Sequence, residues 1–171
     1  YTVIQASESE SFYDIRCDIN KFYAASSLCE AASALTFEED CSPQMFLYCV
    51  EGLRDMCAED ESFALIKFLT RALSLSGYGF SAGACSECGK GLEGDEKLRF
   101  DMAEGAFTCW DCGTGFGVSG STYNCLRAAE GRPCGEVTED GKKRALRLLR
   151  EYFALKTDSR CKSLSEYLRL L

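Results

Sequence analysis

The chain of 171 residues contains no histidine. That absence removes the commonest acid–base side chain and excludes every mixed Cys/His metal site. No P-loop sequence occurs, so phosphate-cradling chemistry has no local signature. Proline is scarce, two residues against 46% apolar ones, which points to a packed globular chain rather than a disordered one. No apolar run approaches the roughly 18 residues of a membrane span, and no signal peptide is visible. The chain opens at Tyr1 without methionine, so an upstream part is expected, whose signals are not read from this sequence.

Cysteine, by contrast, is abundant, with twelve residues. Four fall into two pairs, Cys85 and Cys88 in ACSEC and Cys109 and Cys112 in TCWDC, with twenty residues between the pairs. This is the spacing of a four-thiolate zinc site, in which each pair offers two sulfurs from one tight turn. Gly89 and Gly113 follow the two pairs and help the chain turn, with Gly91 close behind. KLRF and GAFTC read as two short strands joined by DMAEG, which makes a small ribbon with a metal clip at its open end. Four thiolates leave no open position for water, so the zinc is structural rather than catalytic. Two disulfides in a secreted domain, or a redox pair, are the weaker readings. One pair would serve redox chemistry, and no thioredoxin-like context surrounds either.

The other eight cysteines, Cys17, Cys29, Cys41, Cys49, Cys57, Cys125, Cys134 and Cys161, are scattered singly. Each reads as a small buried hydrophobe, except Cys134, whose GRPCG setting suggests a loop open to oxidation. So many unpaired thiols fit a reducing cytoplasm.

Charge is segregated. The formal net charge is −8, which argues against non-specific nucleic-acid binding by the whole surface. Yet residues 141–171 carry nine basic and three acidic side chains, including Lys142, Lys143, Arg144, Arg147 and Arg150. This stretch is the candidate surface for DNA phosphate or an acidic peptide. The acidic clusters Glu38–Glu39–Asp40 and Glu59–Asp60–Glu61 read as a solvated loop and as charge at a helix N-terminus.

Apolar periodicity predicts a mainly α protein. YTVIQA (1–6) reads as a strand or tail. A helix is expected from Ser11, as N-cap, to about Leu35. A second runs from Pro43 to about Cys57 and a third from Ser62 to about Leu75, stopped by Gly77 and Gly79. The ribbon occupies about 82–113, and GTGFGVSGS reads as a flexible connector. Helices at 122–129, from Thr138 to about Leu155, and at 163–171 complete the chain. Ala145, Leu148, Leu149, Tyr152 and Phe153 form the apolar face of the long one. Trp110, between two ligands, is expected to cover one side of the metal site, with base stacking as the alternative.

The order of these features resembles the RecO family of bacterial recombination mediators. YTVIQASESESFYDIRCDINKFYAASSLCE looks like the junction where that family's barrel ends and its helical domain begins, with Phe12, Tyr13, Arg16, Asp18 and Tyr23 in place. LIKFLTRALSLSGYGFSAGACSECGK looks like the family's approach to its zinc site. Gly77 and Tyr78 match there, with Phe80 near where a proline is usual. GAFTCWDC fits the second knuckle, and Lys162 and Ser163 match the family's C-terminal pattern. The His-Leu-Gly stretch frequent in the family is replaced by Lys156-Thr157-Asp158, so no role of that histidine carries over.

The resemblance implies that residues 1–10 are the last strand or linker of a missing oligonucleotide-binding barrel. Residues 11–171 would then be a helical domain carrying the zinc ribbon. It also implies a cytoplasmic, nucleoid-associated protein of the RecF repair pathway without enzymatic turnover. Such proteins bind and anneal DNA, partner RecR, bind the acidic tail of the single-stranded-DNA-binding protein SSB, and help load RecA. The alternative is a zinc-ribbon interaction module of another nucleic-acid machine.

Overall fold

The computed structural model describes residues 2–36, 42–94 and 96–171. Among these the chain forms seven helices and three short strands. The Glu38–Glu39–Asp40 cluster and Cys41 lie outside the described residues.

Residues 2–11 carry no helix or strand, so the strand expected at 1–6 is absent among the described residues. A single strand has no pairing partner to hold it. The helix expected from Ser11 to Leu35 is two helices, α1 (Tyr13–Cys17) and α2 (Ile19–Leu35). Asp18 breaks it: its extended backbone lets its carboxylate accept from the N–H groups of Asn20 (2.8 Å) and Lys21 (3.2 Å). A short acidic side chain that bonds nearby N–H groups favours a cap over a helix interior. Phe12, not Ser11, precedes α1, in the left-handed region at φ 45°.

The next two helices match their local signals. Pro43 occupies the first turn of α3 (Pro43–Ala58), capped by Ser42, and Asp60 caps α4 (Glu61–Leu75). Gly77, at φ 82°, follows α4. Strands β1 (Leu98–Asp101) and β2 (Ala106–Cys109) form the expected antiparallel hairpin. The stretch read as a flexible connector supplies a third strand, β3 (Phe116–Val118), on the other edge of β1, giving the order β2-β1-β3. Its period-two signal is only three residues long and sits among glycines. The exposed edge of β1 orders it by pairing Phe100 with Phe116 and Leu98 with Val118.

Helices α5 (Gly120–Ala129), α6 (Glu139–Thr157) and α7 (Lys162–Leu170) follow. On α6 the buried face is Ala145, Leu146, Leu149, Tyr152 and Phe153, while Leu148 is only half-buried.

The helices and the sheet share one core. Phe80 packs edge-on against Phe100, Phe107 and Tyr152, and Phe107 packs against Tyr123 of α5. The Tyr152 hydroxyl donates to the Tyr78 carbonyl (3.0 Å), and the Tyr123 hydroxyl to that of Ala82 (2.8 Å). Large aromatics with satisfied hydroxyls weld the ribbon to α5 and α6.

Of the seven described single cysteines, only Cys125 and Cys161 are buried. Cys17, Cys29 and Cys134 are exposed, and Cys49 and Cys57 are half-buried. The expectation of small core residues is corrected for Cys17, Cys29, Cys49 and Cys57, while Cys134 is exposed as its loop setting suggested. On α2 and α3, alanine, leucine and methionine fill the core positions that the thiols there do not.

Candidate metal centre and apolar groove

The first knuckle closes tightly. The Gly89 N–H donates to the Cys85 carbonyl (2.9 Å), and the Cys85 N–H donates to that of Lys90 (2.8 Å). Gly89 sits at φ 72°, the region only glycine enters freely. Gly113, after the second pair, is needed for space: a β-carbon there would overlap the Thr108 hydroxyl. The Ser86 N–H donates to the Phe107 carbonyl (3.0 Å) and so ties the first knuckle to β2.

The four sulfurs converge. Those of Cys85, Cys88, Cys109 and Cys112 all lie within 4.8 Å of one another. Cys88 and Cys109 stand 3.8 Å apart, and Cys109 and Cys112 3.0 Å. Four sulfurs at about 2.3 Å from a central ion have edges of about 3.8 Å, so the cluster can hold a metal ion. Cys85 is buried, Cys109 half-buried, and Cys88 and Cys112 exposed.

Electrostatics agrees with a cation at the centre. Burial opposes charge on Cys85, but N–H groups of Cys88, Cys109 and Glu87 outweigh it and bring the thiol down to about 6. The Cys112 thiol is pushed up, first by its hydrogen bond to Cys109 and then by Cys88. Four thiolates this close repel one another unless a cation neutralises them.

Trp110 is 43% exposed, with Arg99 against its ring. The Arg99 guanidinium lies 4.0 Å from its ring centroid, and Gly117 of β3 approaches the ring edge. Arg99 also donates to the carbonyls of Trp110 (3.0 Å) and Gly115 (3.3 Å). The tryptophan thus helps fasten the second knuckle to β1 and β3.

Beside the ribbon, β3 and α6 enclose a groove of about 370 Å³. Met102, Phe116, Val118 and Leu148 supply apolar surface, and Arg144, Arg147 and Glu151 stand among its lining residues. Phe116 is 62% exposed, so the floor is open to solvent. Arg144 pairs with Asp140 (2.7 Å) one turn away, while Arg147 has no ion pair among the described residues.

The sequence-derived basic stretch is therefore divided. Arg144 and Arg147 meet at the groove, whereas Arg150 pairs with Glu151 (2.6 Å) and faces a different hollow. Lys143 is half-buried and lines neither. Lys142 is a correction: its side chain is only 8% exposed and its ammonium bridges Asp60 (3.0 Å) and Glu139 (2.5 Å). It joins α6 to the cap of α4 and is not available to a partner. Glycine 141 places the start of α6 against Ser121, which draws Lys142 inward. Met102, Phe116 and Val118 were not legible as site residues, because the only hint, an alternation within GTGFGVSGS, was lost among glycines.

No described helix is long and apolar enough to cross a membrane. Residues 16–165 match the family model described as "Recombination protein O C terminal". Among curated proteins, a DNA repair protein RecO from Frankia casuarinae is 35% identical over 102 residues, covering 57% of this chain and 40% of its own. That of Desulforudis audaxviator is 31% identical over 111 residues, 64% of this chain and 43% of its own. A third, from Desulfitobacterium hafniense, is 26% identical over 133 residues, 74% of this chain and 48% of its own. The chain thus spans less than half the length of these relatives.

Proposed function

The chain belongs to the recombination protein O family, through its C-terminal region, and on that premise we propose that it is the helical, zinc-bearing part of a DNA-repair mediator. Its relatives carry the name DNA repair protein RecO. In this reading Cys85, Cys88, Cys109 and Cys112 hold a structural zinc ion. When bound, zinc neutralises the thiolates and adds folding free energy to the ribbon. The residues do the rest: the knuckles orient the sulfurs, and Phe100 and Phe107 hand the ribbon's order to α5 and α6.

The protein acts by binding rather than by turnover. Its partners are DNA, RecR and the acidic tail of SSB, and the outcome is strand annealing and RecA loading in the cytoplasm. With a net charge of −8, this part is a poor general DNA binder, and DNA contact falls mainly to a barrel domain.

The single observation that carries the partner assignment is the groove between β3 and α6. Its apolar floor of Met102, Phe116, Val118 and Leu148 accepts hydrophobic side chains, and Arg144 and Arg147 meet the carboxylates of an acidic peptide. Fluorescence anisotropy of a labelled SSB tail peptide, titrated with the zinc-loaded protein, tests this. Micromolar, salt-weakened binding that is lost on reversing Arg144 and Arg147 to glutamate supports it. Binding unchanged by the reversal removes the groove from the reading.

A further inference from the structure

The three-stranded sheet closes one of its edges and leaves the other open. On the outer side of β2 the Ser86 N–H donates to the Phe107 carbonyl (3.0 Å), and Ser81 bridges to Ala106. On the outer side of β3 nothing corresponds. Among the described residues, no hydrogen bond joins Phe116, Gly117 or Val118 to any residue outside the sheet.

The strand register fixes which main-chain groups are free. In an antiparallel pair, residues that exchange hydrogen bonds alternate with residues that turn theirs away. The Phe107 carbonyl points outward to Ser86, so Phe107 and its partner Phe100 do not exchange bonds with each other. Phe100 therefore turns to β3 and exchanges with Phe116, as Leu98 does with Val118. Gly117, opposite Arg99, is left with its N–H and C=O directed away from β1. It is exposed, and having no side chain it lines the groove with its backbone alone.

An open edge of this kind is a template for another strand. Edges meant to stay free carry lysine or proline, or are covered by another element. The segment GTGFGVSGS has neither lysine nor proline, and Phe116 and Gly117 both stand exposed.

Charge selects the occupant. A strand added beside β3 places alternate side chains on the face of Phe116 and Val118, toward Leu148, Arg144 and Arg147 of α6. Arg147 has no ion pair among the described residues, whereas Glu151, the acidic residue of the lining, is already engaged by Arg150 (2.6 Å). Negative side chains are thus favoured on that face. A second copy of this chain, at a net charge of −8, is the poorer match.

Resting on the peptide-binding reading of the groove, we propose that an extended acidic peptide binds there by adding to the sheet as a further strand along β3, its backbone pairing with the N–H and C=O of Gly117. Main-chain hydrogen bonds hold the peptide, and the groove and Arg147 select its side chains.

The test uses the metal-loaded full chain, isotope-labelled for nuclear magnetic resonance, and the acidic tail peptide of the anisotropy experiment. Variants of that peptide are N-methylated at one backbone position each. In the free protein the Gly117 amide should exchange faster than those of Phe116 and Val118. Saturating peptide should slow it at least about tenfold. N-methylation should weaken binding about tenfold where the peptide N–H faces Gly117, the loss of one hydrogen bond, and leave it unchanged at the neighbouring positions, whose N–H points away. Binding that depends on Arg147 but tolerates every N-methylation, with Gly117 exchange unchanged, would overturn strand addition and leave the groove reading intact. No binding of the parent peptide would overturn both. Gly117 protection without peptide, rising with protein concentration, would give the edge to a second copy and overturn the proposal as well.

Discussion

Glu30 caps α7 by accepting from the N–H of Ser163, 133 residues further along the chain. Its carboxylate accepts from the N–H groups of Lys162 (2.9 Å) and Ser163 (2.8 Å) at the start of α7. Cys161 holds the N-cap position there and makes no side-chain cap of its own. A residue of α2 thus supplies the acceptor that α7 lacks, with its charge at the favourable end of the helix dipole.

Glu30→Ala should therefore loosen α7, costing about 1 kcal/mol in urea unfolding, the usual cost of a lost cap. Burial opposes ionisation of Glu30, but the N–H donors of Ser163 and Lys162 prevail and hold its carboxyl below the ordinary glutamate value. A folded-state value below the unfolded one means stabilisation that is present above the unfolded value and lost as pH falls through the folded one. The gap between wild type and Glu30→Ala should close below about pH 4. A gap independent of pH would show that the charge plays no part.

Lys142 should behave as a structural residue. Replacing it with methionine leaves Asp60 and Glu139 without their shared cation and should cost about 2 kcal/mol in thermal or urea unfolding. Burial alone would lower its basicity, but the hydrogen bonds its ammonium donates to Glu139 and Asp60 raise it above the ordinary lysine value. Its contribution is complete below the unfolded value and is lost as pH rises through the folded one, in the strongly alkaline range. Anisotropy with the acidic tail peptide should be unaffected at neutral pH.

Metal loss should reach beyond the ribbon. Cys88→Ser, or chelation of the parent, should reduce bound metal and lower the melting temperature of the whole protein. The ribbon and helices share the Phe80–Phe100–Tyr152 cluster, so disorder at the knuckles exposes part of a common core. Metal analysis combined with circular dichroism checks this. An unchanged melting curve in the metal-free protein would show that the site carries no folding free energy.

Within the groove, charge and apolar surface should be separable. Arg147→Glu should weaken tail binding about tenfold and reduce its salt dependence, as one charge-assisted contact is replaced by repulsion. Leu148→Asp should weaken binding with little change in salt dependence. Arg150→Glu, outside the groove, should leave affinity nearly unchanged. A larger effect at Arg150 than at Arg147 would move the site to another face of α6.

The sequence alone determined the four-cysteine cluster and most helix boundaries. Two C-x2-C pairs bring sulfurs together through short-range turns. Ser42, Asp60 and Thr138 cap their helices through hydrogen bonds to N–H groups three residues on. The tertiary structure decided the rest. Whether β3 forms depends on the free edge of β1, and whether Glu30 is a surface charge or a cap depends on where α7 arrives. Lys142 and Arg147 are equally basic in the sequence, but one is enclosed by Asp60 and Glu139 and the other stands at a groove. Charge and local pattern are properties of a few neighbouring residues. Burial and partnership are set by contacts between residues distant in the chain, which only the folded packing brings together.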